Sequence, residues 1–352
     1  MTTLTFRTAR PLLILNGQNN TELSERLLHL MVIETASGLY RCEATVSNWD
    51  PDHAAGGYLY FDRKSIDFGK SFKVKFGDQD VFDGRIMALE ARFPIGGAPE
   101  LEVLAEDRFQ DLRMTRRTRS WSDMSDADVF RRIAQDHSLQ AQINLNGLTH
   151  KVLAQVNQSD LAFLRDRARV LDGEVWVSGS SLFAKPRRDR KAESLQLTYQ
   201  TELREFKVMA DLSQQNTGTT VSGWDVAGKS AIQHEATDST LSNELGQLQS
   251  GAAIMQSALG QRKQSVVHSM PFTQQEVRAE AEAYFKLAAR RFVVGRGVSE
   301  ADGRLKVGNE VDLAGLGPLF NGKYVLTEVR HVFDGRGART EFVVERAGLG
   351  RP

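Results

Sequence analysis

Along the first hundred residues the pattern of apolar and polar positions is strand-like. The stretch 25–50 predicts two long strands around Ser37-Gly38, and 56–63 and 70–78 add two more. Residues 82–107 read as a strand–turn–strand unit. Together these predict an antiparallel sheet that closes into a barrel and leaves no open edge. The period then changes. Residues 122–137 read as a helix capped by Ser125 and Asp128, with Val129 and Ile133 on its apolar face. A second helix over 158–174 has Ser159 as its cap, Leu161, Leu164, Ala168 and Leu171 as its buried stripe and Gly173 as its end; a hairpin follows over 174–186. Strand patterns return at 194–200, 204–212 and 219–236. A polar stretch from 237 to about 270 precedes the clearest helix, 272–291. That helix has a Thr273/Glu276 capping box, an apolar face of Val277, Ala281, Tyr284 and Ala288, and Arg290 and Arg291 at the dipole's negative end. Residues 292–347 complete a second sheet.

One short motif points elsewhere at first sight. Gly317 to Lys323 reads G-x-x-x-x-G-K, most of a phosphate-binding loop. Such a loop needs Ser or Thr after the Lys and a helix behind it. Here Tyr324 follows, and then a run with strand alternation. The segment has a better explanation inside the chain. FDGRIMALEAR (82–92) aligns without gaps on FNGKYVLTEVR (320–330), with Phe, Gly, Glu and Arg identical. Each copy is followed by a turn signal (94–99 and 334–339) and another strand (100–107 and 340–347). The pattern predicts a duplicated hairpin, with Gly84 and Gly322 as its turn glycines.

Composition narrows the field of functions. The chain has 352 residues, room for two or three domains. Lys+Arg and Asp+Glu are both 45, so no net field draws the molecule to nucleic acid or an anionic membrane. The single cysteine, Cys42, excludes an internal disulfide. No run is long enough for a membrane span, and the apolar run near the start is too short for a signal peptide. The seven histidines form no H-E-x-x-H site, and no G-x-S-x-G elbow occurs. The strand position of His331 predicts a structural hydrogen bond. Two basic runs flank the 116–188 segment: Arg113, Arg116, Arg117 and Arg119, then Lys185, Arg187, Arg188, Arg190 and Lys191. They read as solvated linkers, as contacts with an acidic neighbouring subunit, or as a basic lining for something passing by. Neither has the aromatic interleaving of a single-strand nucleic-acid platform.

Several segments resemble one family. QSDLAFLRDRARVLDGEVWV (158–177), VSGWD (221–225) and the stretch from Ala279 through Gly348, with its F-x-G-K-Y signature, resemble the phage late control D proteins. These are tail baseplate hubs, related to the hub region of type VI secretion valine–glycine repeat spikes and of contractile injection systems. Gln158 departs from the Glu common there. The resemblance implies a mainly β fold with two tail-tube-like antiparallel barrels, an α/β insert and a helical segment. The expected division is 1–115 as first barrel, 116–188 as α/β insert, 189–236 with 292–350 as second barrel, and 237–291 as loop and helical insert. The implied function is a non-enzymatic hub, without cofactor or metal. Three chains would present six barrels and so join a hexameric inner tube to a trimeric spike. Expected partners are a second and third copy of the chain, the tube protein and a spike on a separate polypeptide, with no specific nucleic-acid ligand. Assembly would occur in the cytoplasm, into a phage tail, tailocin or extracellular injection particle. The alternatives are a tail-associated cell-wall hydrolase and a free glycan- or nucleic-acid-binding module.

Overall fold

The computed structural model describes residues 10–52, 57–190, 194–267, 269 and 271–351. Most strands join one 13-stranded sheet made of two halves. The alternation does what the sequence promises. In strand Ser71–Phe76, Phe72, Val74 and Phe76 point into the core. Lys73 and Lys75 point out and pair with Asp83 at 2.8 Å and Asp80 at 3.3 Å on the next strand.

The first half runs Leu12–Leu15, Ser71–Phe76, Gln79–Arg92, Glu100–Glu106, Arg41–Ser47, Leu27–Thr35. The second runs Ser194–Thr198, Glu310–Ala314, Gly322–Asp334, Gly337–Arg346, Val293–Glu300, Leu203–Ala210. Setting aside the two-residue strand Gln18–Asn19, which extends the first half beyond Leu12–Leu15, both halves place their strands in the same order counted along the chain: first, fourth, fifth, sixth, third, second. Each half curls around its own core. One core contains Leu13, Leu30, Phe72, Ile86 and Val103, the other Leu203, Val293, Val311, Tyr324 and Phe342. The outer strands differ in one respect: Leu12–Leu15 pairs antiparallel and Ser194–Thr198 parallel to its neighbour.

The duplication is real in topology, but its register corrects the sequence alignment. A bulge interrupts strand Gln79–Arg92 between Ile86 and Ala88, and strand Gly322–Asp334 between Leu326 and Glu328. Matching the bulges places Ile86 on Leu326, two residues from the sequence match. A two-residue slip returns every side chain to its own face, so the inward/outward pattern looks alike in either alignment. Gly84 is therefore not a turn glycine. It lies inside strand Gln79–Arg92, where an added Cβ would sit 2.3 Å from the carbonyl oxygen of Glu106. The turn is at Gly77-Asp78. Gly322 opens its strand just past the turn, at φ +113°.

Two further expectations change. Of 56–63, only Tyr58 makes a strand-like bridge, to Trp49; the described remainder is turn. The Asn48 carboxamide oxygen accepts the Leu59 and Tyr60 N–H groups at 3.0 and 2.7 Å, which removes the need for a ladder partner. Residues 218–236, expected in the second barrel, stand apart from it. Strands Gly218–Asp225, Ser230–Ala236 and Lys263–Val266 form their own sheet. It packs under helix Gln274–Arg290 through Val221, Ala236, Val266, Val277, Ala281 and Phe285. The α/β layer after the first half has a core of Phe109, Trp121, Phe130, Leu161, Leu164 and Leu182. Its helices begin at Ser125 and Ser159, whose side chains accept the Asp128 and Ala162 N–H groups, as their sequence suggests. The Thr273/Glu276 capping box is also present.

Candidate assembly surface

The two halves meet by strand pairing. Leu30–Thr35 runs antiparallel to Glu328–Phe333, with Val32 opposite His331 and Ile33 opposite Arg330. Around this seam, Phe333, Ala338 and Ala301 of the second half pack on the first half's core, and the Phe76 and His331 rings lie 5.8 Å apart. His331 bonds Thr340 Oγ1 at 3.1 Å, the structural role its position suggested. Burial, with Lys306 nearby, pushes the imidazole down to about 4, so it is neutral at physiological pH. The segment 301–309 folds over the seam with Leu305 and Val307 buried. The buried Glu34 carboxylate accepts the Val307 N–H at 3.1 Å.

Among the described residues, the edges without a partner strand include the outer edge of Leu203–Ala210, and the Ala88–Arg92 portion of Gln79–Arg92 on the side opposite Glu100–Glu106. Beside the second edge lies a chain of rings. Trp49 meets Tyr58 edge-on at 5.3 Å, Tyr58 stacks on Phe61 at 5.1 Å, and Phe61 lies 5.9 Å from Phe93. Phe93 is 62% exposed and Ile95 fully so. The four rings thus form a partly exposed aromatic cluster on the surface.

The open face across the second half is polar. A groove of about 300 Å³ there is lined by Glu205, Lys207, Arg296, Glu328, Arg330 and Glu341 among others. Arg330 pairs with Glu328 at 2.6 Å. Among the described residues no His/Cys/Asp/Glu group is arranged to hold a metal ion, and no helix is long and apolar enough to cross a membrane. The phosphate-loop lookalike ends in a strand, and Lys323 reaches Glu310 at 3.9 Å.

The basic runs are largely engaged within the chain. Arg113 pairs with Glu106 at 2.5 Å, Arg117 with Asp160 at 3.2 Å, and Arg119 with Asp136 at 2.8 Å and Asp160 at 2.7 Å. Burial alone would raise the Asp160 carboxyl. Bonds from His137 and Gln155, with both arginines nearby, more than offset this and hold it below the usual range. Arg116 donates to the Asn157 carbonyl at 3.2 Å. In the second run, Arg187 pairs with Glu174 and Glu345. Arg190 is buried between Glu174, the Tyr40 hydroxyl and the Trp176 ring. Lys185 lies over the Trp176 and Phe183 rings, and exposed Arg188 meets Asp189 at 3.6 Å. Lys191 lies outside the described residues. Tertiary folding supplies the carboxylates that a one-dimensional reading of these runs lacks.

A family model described as the Alg8 N-terminal domain matches residues 25–334. The chain belongs to the Alg8 N-terminal domain family. The match spans both halves of the sheet and the layers between them. No curated protein matches the sequence. Solved structures share the fold at low identity. A 43 kDa tail protein of prophage MuSo2 from Shewanella oneidensis is 11% identical with a TM-score of 0.73, over 96% of this chain and 98% of that one. A tail protein from Neisseria meningitidis is 12% identical with a TM-score of 0.69, over 97% of each. An E. coli type VI secretion component, described as similar to T4 phage tail proteins, is 11% identical with a TM-score of 0.62, over 97% of this chain and 79% of that one. The sequence resemblance named late control D proteins. The matching family model carries a different description, and the shared fold is that of tail and type VI secretion proteins.

The aromatic chain and the two edges were not legible as a site in the sequence. Phe61 and Phe93 are 32 positions apart, and an edge is defined only once the strand order is known. The one available signal was the repeat, since a duplicated sheet must dispose of two sets of edges.

Proposed function

We propose that this chain is a non-enzymatic structural hub of a contractile injection machine or phage tail. Three copies form a ring that imitates sixfold symmetry and connects a hexameric inner tube to a trimeric spike. The observation that carries this reading is the strand order, the same in both halves of one chain. A closed ring needs like patches at equal angles, and two like sheets per chain supply six from three copies. The seam supports it, because two sheets already stand side by side as neighbours in such a ring would. The tail-protein fold is consistent with the same role. On this reading 1–115 and 292–350 with 189–212 are the tube-like parts, and the mixed-charge open face bounds the central channel. Arg116 and Arg188, exposed and held only by the Asn157 carbonyl and Asp189, are placed to meet a neighbouring subunit. The partners are two further copies, a tube protein and a spike, assembled in the cytoplasm. Light scattering on the purified chain, alone and with tube and spike proteins, together with averaged particle images, tests this. Rings of three chains with six similar lobes are expected. Particles that always contain one copy would overturn the reading.

A further inference from the structure

The seam within one chain gives the address of the contact between chains. Across the first half, Arg85 faces Glu106, Glu106 faces Arg41, and Arg41 faces Ile33. Across the second, Val325 faces Glu345, Glu345 faces Val294, and Val294 faces Met209. Ile33 and Met209 are therefore equivalent positions, and Leu30–Thr35 corresponds to Phe206–Asp211. The matched bulges make Glu328–Phe333 correspond to Ala88–Phe93. Inside the chain, the first half's edge already joins the second half's strand. The equivalent pair, 206–211 and 88–93, has no partner strand among the described residues.

We infer that residues 206–211 of one copy pair antiparallel with residues 88–93 of the next, with Val208 opposite Ala91, and that the Trp49–Tyr58–Phe61–Phe93 rings are buried in that contact. This rests on the hub reading and fixes its interface. The side chains fit the transferred register. Val32 opposite His331 becomes Val208 opposite Ala91, Glu34 opposite Val329 becomes Ala210 opposite Leu89, and Leu30 opposite Phe333 becomes Phe206 opposite Phe93. All three new pairs are apolar. On the other face, Lys207 falls opposite Arg92 and diagonal to Glu90, within reach of that carboxylate.

The aromatic loop fits the same rotation. In the second half, the connection from strand Val293–Glu300 to Glu310–Ala314 folds over the seam, with Ala301 on the first core and Gly303 against Gln79 and Val81. The equivalent connection in the first half is 48–70, which carries Trp49, Tyr58 and Phe61. Phe333 is packed on the other half's core, whereas its counterpart Phe93 is 62% exposed. The exposed rings thus occupy the positions whose equivalents are covered within the chain. The occupant is a second copy, because only the second half offers the counterpart surface. Repeating one head-to-tail contact closes a ring when its rotation is a whole fraction of a turn, one third for three copies.

Cysteine pairing tests the register. Directly opposite residues of an antiparallel pair have Cβ atoms about 4.5–5.5 Å apart, close enough for cross-linking once the backbones settle. The full chain carrying both V208C and A91C is oxidised, alone and with tube and spike proteins, and run on a non-reducing gel. Native Cys42 is buried and stays out of the reaction. A ladder that stops at three linked chains is expected, and each single variant stops at two or fewer. The off-register pair V208C with L89C should link far less. In parallel, F93D should weaken self-association about tenfold or more with an unchanged melting temperature, since the ring it replaces is solvent-facing in the isolated chain. If trimers form but the off-register pair links better, or F93D associates normally, the interface is wrong and the hub reading stands. If no oligomer forms under any condition, both fall.

Discussion

His150 gives the sharpest test of how the two helical layers are held together. Its Nε2 lies 2.9 Å from Asp126, at the start of one helix, and its Nδ1 lies 3.1 Å from Glu276, in the capping box of another. Arg167 binds the second Asp126 oxygen at 2.7 Å. The residue is 9% exposed. The hydrogen bond to Asp126, then that to Glu276, raises the imidazole from its ordinary 6.5 to about 9 against the opposing cost of burial. A folded-state value above the unfolded one means that the folded chain holds the proton more tightly, here by about 3 kcal/mol at full effect. That contribution is complete below pH 6.5 and fades as pH rises through about 9. About 2 kcal/mol remains at pH 7.5 and almost none at pH 10. His150→Gln keeps a polar side chain but not the titrating charge. The gap in unfolding free energy between wild type and H150Q should therefore narrow by about 2–3 kcal/mol from pH 6 to pH 10. Urea melts across that range measure the gap, and an NMR titration of the imidazole reads its value directly. An imidazole titrating near 6.5, or a gap that does not change with pH, would refute the reasoning.

Other substitutions probe the seam and the second core. Glu34→Ala strands the buried Val307 N–H and should cost about 1–3 kcal/mol. Glu34→Gln, which keeps an acceptor, should cost less, and equal melting temperatures for the two would contradict the assigned bond. Gly297→Val drives a Cβ to within 2.3 Å of the Phe342 ring and should cost about 1–3 kcal/mol. Gly335→Val meets nothing within 4 Å and should stay within about 0.5 kcal/mol of wild type by thermal melting. His331, pushed down to about 4, supports folding fully above pH 6.5 and loses that support as pH falls toward 4. His331→Gln should accordingly flatten the acid limb of the stability profile, as read by tryptophan fluorescence.

Much of the local structure was written in the sequence because it depends on neighbours a few positions away. The period-two runs became strands, Ser125, Ser159 and Thr273 became caps, and the 82–92/320–330 match disclosed a duplication. What the sequence left open depends on contacts between distant segments. A two-residue slip changes no inward or outward position, so only the paired bulges could set the repeat's register. The aromatic run Tyr58-Leu59-Tyr60-Phe61 looks like a strand, yet the Asn48 side chain takes its hydrogen bonds and turns it into a loop. The runs around Arg119 and Arg190 look like solvated charge until folding brings Asp160 and Glu174 against them. Glu276 is legible as a cap, but its second role, facing His150, spans 126 positions. An edge exists only relative to a strand order, and so the assembly surface became visible only in three dimensions.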